Sequence, residues 1–130
     1  MIDSKNICVL IDDDEDDQLI FQTVLQMHFP NYKLSAFSSF DSAKSFILKE
    51  YSTIHSIFID LNMPKFNGLD CLHFLRSQTE FRHKPIIIYS TSNNPDDVNK
   101  CLKRGASAFL TKPSRVVDLV AELSKFLEKE

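Results

Sequence analysis

Glycine is scarce: the chain has two, Gly68 and Gly105, in 130 residues, where average usage of ~7% would place about nine. Glycines 37 positions apart can write neither the G-x-G-x-x-G dinucleotide turn nor the G-x-x-x-x-G-K phosphate loop, so nucleotide cradles of those two kinds are excluded. Cysteine is sparse and odd in number: Cys8, Cys71 and Cys101 lack C-x-x-C spacing and sit in apolar patterns, which argues for buried reduced thiols rather than a disulfide framework or zinc knuckle. No apolar run approaches the ~18 residues of a membrane helix. Near the start only Cys8 to Ile11 precede the acids, which is no signal peptide, so no membrane insertion and a cytoplasmic location are expected. Basic tracts are missing as well; Lys5, Lys103 and Arg104 make no nucleic-acid footprint, and no direct nucleic-acid binding is expected. His28, His55, His73 and His83 show no metal-ligand spacing, and no G-x-S-x-G nucleophile elbow exists.

What is present is ordinary for a folded protein. A hydrophobic fraction of 43% is too apolar for intrinsic disorder, and the length has room for one core, so residues 1–130 read as one domain. The net charge of −3 conceals a concentration: Asp12, Asp13, Asp14, Glu15, Asp16 and Asp17 are six consecutive carboxylates, and the rest of the chain is +3. Any strong field is local to that run.

Short β-branched runs at Ile7 to Ile11, Ile54 to Ile59 and Ile86 to Tyr89 read as central strands buried on both faces, with Tyr32 to Phe37 and Ala108 to Leu110 nearer the edges. Between them, apolar residues recur at spacings of three and four: Leu19, Ile20, Val24 and Leu25; Ala43, Phe46 and Ile47; Leu69, Leu72 and Leu75; Val98, Cys101 and Leu102; and the stripe from Val116 to Leu127. That stripe is first a core-packing face, and the last helix is expected to run almost to Glu130 with no effector domain attached. Pro95 suits a first turn, Gly105 a left-handed stop and Ser114 an N-cap. Five β-α units of about 26 residues imply parallel strands with helices on both faces, and they are too few for a (β/α)8 barrel. The expected fold is an open, doubly wound α/β sandwich, whose ligands bind beyond the carboxyl ends of the strands.

The residues at those ends are chemically concentrated. Asp12 and Asp13 follow the first run, Asp60 and then Asn62 the third, Ser90 and Thr91 the fourth, and Lys112 and Pro113 the fifth. Three close carboxylates repel unless a cation is present, and hard oxygen ligands suit Mg²⁺ or Mn²⁺. Lys112 and Ser90 would supply a cation and a hydroxyl to a transferring phosphoryl group, with Asp60 the natural nucleophile.

Asp12-Asp13 after CVLI, FIDLNMPKFNG around Asp60, PIIIYST ending at Ser90 and GASAFLTKP around Lys112 resemble the receiver domain of two-component response regulators, over essentially the whole chain. The stand-alone chemotaxis regulators are the nearest layout, and the flavodoxin-like strand order 2-1-3-4-5 is then expected. The resemblance implies a phosphorelay switch and phosphoprotein. Asp60 accepts the phosphoryl group; Asp13, Asp60 and the Asn62 carbonyl hold the metal, with Asp12 helping through water; Lys112 pairs with phosphoryl oxygens. Ser90 is the switch hydroxyl, Phe109 the switch aromatic, Asn62 and Ser92 tune dephosphorylation, and a cis Lys112-Pro113 bond aims the amine. Implied partners are a sensor histidine kinase or histidine phosphotransfer protein and a downstream protein effector, with a homodimer through the fourth helix, fifth strand and fifth helix as a further option. Asn67 replaces the usual Asp before Gly68, and Thr91, larger than the usual Ala or Gly, implies narrower access to the site.

Plainer readings stand beside these. Asp14 to Asp17 do no more than cap a helix and meet its dipole, and an EF-hand fails because Thr23 stands at the twelfth position. Phe109 is by default a core aromatic. An enzyme alternative, a haloacid-dehalogenase-like phosphatase, would place its nucleophile at Asp12 and a second acid at Asp14. A receiver fold acting without phosphorylation is the other. The reading chosen is a signalling receiver, not an enzyme beyond its own phosphorylation and autodephosphorylation.

Overall fold

The computed structural model describes residues 6–63 and 67–128; Lys5, the Pro64, Lys65 and Phe66 portion of the motif around Asp60, and the last two residues of the expected final helix lie outside them. Strands β1 (Ile7–Ile11), β2 (Lys33–Phe37), β3 (Ile54–Ile59), β4 (Ile86–Ser90) and β5 (Ala108–Thr111) alternate with helices α1 (Glu15–His28), α2 (Phe40–Lys49), α3 (Gly68–Ser77), α4 (Pro95–Lys103) and α5 (Val116–Leu123). All pairings are parallel, and the sheet order is β2-β1-β3-β4-β5, the flavodoxin-like order expected.

Strand side chains alternate between faces, and this divides the interior in two. Val9, Ile11, Ile57, Ile59, Ile86 and Ile88 pack with Ala43 and Ile47 of α2, Cys71, Leu72 and Leu75 of α3, and Cys101 of α4. Cys8, Leu10, Phe58, Ile87 and Tyr89 pack with Phe21, Val24 and Leu25 of α1 and Leu119, Val120 and Leu123 of α5. Hence β1, β3 and β4 are buried almost throughout, even at Ser56 and Ser90, whereas β2 and β5 are only partly buried at the sheet edges. All three cysteines are buried free thiols. No helix among the described residues is long and apolar enough to cross a membrane.

Helix ends follow local chemistry with two exceptions. Asp14 caps α1, accepting from the Asp16 and Asp17 amides, and Asn94 caps α4, which has Pro95 in its first turn. Gly105, at φ 108°, ends α4, with the Ala106 amide returning to the Cys101 carbonyl. The Arg76 guanidinium, from the last turn of α3, donates to the carbonyls of Gly105 and Lys84 at 2.8 and 2.9 Å and pins this stop in place.

The first exception is Ser114, which does not cap α5. The cap position is Arg115, whose guanidinium carries only donors and so cannot accept from the first-turn amides; it pairs with Asp118 at 2.9 Å. The second is the end of α5 at Leu123 rather than near Glu130. The Ser124 hydroxyl donates to the Ala121 carbonyl, and the Lys125 and Phe126 amides bond three residues back. Phe126 and Leu127 nevertheless pack against the α1/α5 core, so the apolar stripe outlasts the helix.

Candidate functional site

Strand order reverses between β1 and β3: the chain passes from β1 outward to β2, then returns to β3 on β1's other side. Ile11 pairs with Ile59, so the next residues of both strands, Asp12 and Asp60, emerge side by side. Backbone bonds fix them: the Asp12 amide donates to the Phe37 carbonyl at 2.9 Å and the Asp60 amide to the Ile11 carbonyl at 2.8 Å. Lys112 arrives from β5, where its amide donates to the Ser90 carbonyl at 2.7 Å.

Carboxylate oxygens of Asp12, Asp13 and Asp60 all lie within 4.8 Å of one another. Asp12 and Asp60 are buried and Asp13 is exposed. Lys112 Nζ stands 2.7 Å from Asp12 Oδ2, 2.8 Å from Asp17 Oδ2 and 3.4 Å from Asp60 Oδ2. It lies 5.3 Å from the centre of the Tyr89 ring, which stacks edge-on against Phe21. The amine is thus seated on a rigid aromatic support rather than waving in solvent.

The Lys112-Pro113 peptide is trans; the expected cis bond is absent. β5 pairing already brings Lys112 to the rim, and its side chain reaches all three acids from the trans backbone, the ordinarily preferred isomer.

The remaining sequence candidates surround this core of the site. Asn62 is exposed, and its amide donates to Asp60 Oδ1 at 3.2 Å. Ser90 is buried as the last residue of β4, and its hydroxyl accepts from the Ser92 amide at 3.1 Å. Ser92 Oγ approaches Asp97 Oδ2 at 3.5 Å. Thr91 is exposed, and Phe109 is half-buried against the α2-α3-α4 side of the sheet.

One participant escapes the sequence reading. Asp17, assigned there to capping alone, does donate its amide to Asp14 Oδ1 at 3.1 Å, yet its carboxylate is also an ion-pair partner of Lys112. The available signal was the fold rule itself, because α1 begins at the same rim and its first turn can face the strand ends.

Negative charge exceeds positive here. Burial pushes the Asp12 carboxyl up to about 6, with Lys112 and the Asp14 amide opposing the rise. Burial pulls the Lys112 ammonium down, but the carboxylates of Asp12 and Asp17 and the charge of Asp60 outweigh it, leaving a net upward shift. A divalent cation fits this donor set: three clustered carboxylates supply hard oxygens, and buried Asp12 Oδ2 has no partner in hydrogen-bonding geometry, only the ion pair to Lys112.

In metal-free protein the Asp12 carboxyl makes stability depend on pH. Since the folded Asp12 carboxyl titrates near 6 and its ordinary value is 3.8, the folded state holds the extra proton between those values, and stability falls as pH rises through that window. The difference is on the order of 2 kcal/mol. Urea unfolding of wild type and Asp12→Asn at pH 4 and 7 checks it: the pH-dependent loss should shrink in the variant, and equal losses would refute it.

The family model for the response regulator receiver domain matches residues 8–124. The two-component response regulator ORR12 of Oryza sativa subsp. japonica is 31% identical over 111 residues, covering 85% of this chain and 89% of its own length. The Mn²⁺-bound form of response regulator Rcp1 superposes with a TM-score of 0.82 at 26% identity over 95% of each chain. Vibrio cholerae CheY4 shares the fold with a TM-score of 0.82 at 22% identity, over 94% of this chain and 98% of its own. These likenesses separate the chain from the phosphatase alternative, and it belongs to the response regulator receiver-domain family.

Proposed function

We propose that residues 1–130 form one phosphorylation-operated receiver, which takes a phosphoryl group onto Asp60. The observation that carries this is the convergence of three carboxylates and one ammonium at the strand-order reversal. Mg²⁺, or Mn²⁺, held by Asp13, Asp60 and the Asn62 carbonyl with Asp12 assisting through water, would neutralise the charge of donor and acceptor. A carboxylate oxygen of Asp60 forms a bond to phosphorus while the phosphorus-nitrogen bond of a phosphohistidine breaks, and the departing imidazole nitrogen keeps the electron pair and gains a proton. Lys112 balances the phosphoryl oxygens. Attack by water on the acyl phosphate reverses the state, with Asn62 and Ser92 flanking its approach.

The donor in this reading is a sensor histidine kinase or a histidine phosphotransfer protein in the cytoplasm. The chain is a signalling component, its chemistry confined to its own phosphorylation and autodephosphorylation. Ser90 leaves the Ser92 amide for the phosphoryl group, Phe109 turns inward, and the surface of α4, β5 and α5 changes for a downstream effector or a homodimer.

Incubation with acetyl phosphate and Mg²⁺ should add one base-labile, acid-stable phosphoryl group, and borohydride reduction followed by peptide mapping should place it at residue 60. Label at residue 12 instead would defeat the reading. A second expected result separates chemistry from signalling: Ser90→Ala should still be labelled, while the shift changes across residues 93 to 110 seen by NMR in phosphorylated wild type are lost. Their persistence would remove Ser90 from the switch.

A further inference from the structure

The geometry points to Asp17 as a positioning residue that competes with the phosphoryl group for Lys112. The inference rests on Asp60 as the acceptor and concerns how that site is restrained before phosphorylation. Asp17 lies outside the cluster of acids able to share a metal, which consists of Asp12, Asp13 and Asp60 among the described residues. Its carboxylate sits 2.8 Å from Lys112 Nζ, closer than Asp60 at 3.4 Å. The ammonium is therefore held toward α1 in the resting chain, and a phosphoryl group on Asp60 must draw it away.

The setting permits that exchange. The Asp17 side chain is 27% exposed, whereas those of Lys112 and Asp12 are 8% and 0%. Asp17 borders a small cavity of about 50 Å³ that Ile20, Lys112, Pro113 and Val116 also line, and this gives its carboxylate room to swing outward into water. Asp12 has no such freedom. Of the two close partners of Lys112, Asp17 is the one that can be exchanged at low cost, because water can solvate its carboxylate once the amine departs. The pair also ties the first turn of α1 to the loop after β5, so its opening would loosen the contact between those two segments.

Asp17→Asn keeps the side chain's shape and removes the competing charge. In titrations followed by NMR, beryllofluoride with saturating Mg²⁺ should bind this variant about tenfold more tightly than wild type, the equivalent of ~1.4 kcal/mol. Affinity for Mg²⁺ alone should change by about threefold or less, since Asp17 is not a ligand. Asp17→Glu should return toward wild-type beryllofluoride affinity. Beryllofluoride binding to Asp17→Asn at or below wild-type strength overturns the inference, as does an equal change in Mg²⁺ and beryllofluoride affinity, which would signify mere disturbance of the fold. If wild type itself ignores beryllofluoride, or binds it equally well as Asp60→Asn, the reading of Asp60 fails and this one falls with it; failure of the Asp17 variants alone leaves Asp60 untouched.

Discussion

Asp60→Asn should abolish labelling by acetyl phosphate and Mg²⁺, with incorporation falling at least about a hundredfold. Asparagine matches the carboxylate in shape and can still accept the Asn62 amide, which lies 3.2 Å from Oδ1. What it lacks is the oxyanion that attacks phosphorus. Removing one of three crowded carboxylates also relieves repulsion, so the variant should fold at least as well as wild type in the absence of metal. That combination is diagnostic: unchanged thermal unfolding with vanished label isolates the chemistry from the fold. Incorporation equal to wild type would mean that another residue is the acceptor.

Gly68→Ala should cost about 3 kcal/mol of stability and weaken divalent-cation binding at the same time. The cause is steric. A β-carbon at Gly68 would stand 2.8 Å from the Asp60 carbonyl oxygen and 2.9 Å from Leu61 Cα, both backbone atoms that cannot rotate aside. The Gly68 amide donates to the Leu61 carbonyl at 2.8 Å, so α3 starts pressed against the chain leaving β3. Relieving the clash must shift Asp60 or the helix start. Gly105→Ala is the natural control, for it too is strained, by its φ of 108° and by Arg76 Cγ at 3.1 Å, but it lies on the α4-β5 connection. Both variants should lose stability in urea, and only Gly68→Ala should lose Mg²⁺ affinity. Equal Mg²⁺ binding by both would show that the close approach at Gly68 does not position the acid.

The legible part of the molecule was what periodicity and strand-end rules encode. β1, β3 and β4 announce themselves because both of their faces are covered, and the acids after β1 and β3 meet because parallel strands end at one rim. The pairing of Asp17 with Lys112 was missed because the apolar set read for α1 includes Leu19 and Ile20, which are exposed, and omits Phe21, whose buried face carries Asp17 one turn earlier. Ser114 failed as a cap because a good capping residue type says nothing of whether the backbone places it at the boundary. The short α5 was missed because Phe126 and Leu127 keep helical spacing in sequence while burying themselves from turns. The trans bond before Pro113 belongs to the same class, since the isomer depends on the surrounding backbone and not on the dipeptide.

The alternation of β1 between its two cores has an evolutionary corollary. Cys8 and Leu10 serve one layer, Val9 and Ile11 the other, and Asp12 follows at once. Inserting or deleting a single residue in this strand would exchange the contents of the layers and turn the acid away from its companions. Lineages descending from this sequence should therefore accumulate length changes in the connections opposite the reactive rim, while the spacing from Ile7 to Asp13 stays frozen even as the identities of its apolar members drift.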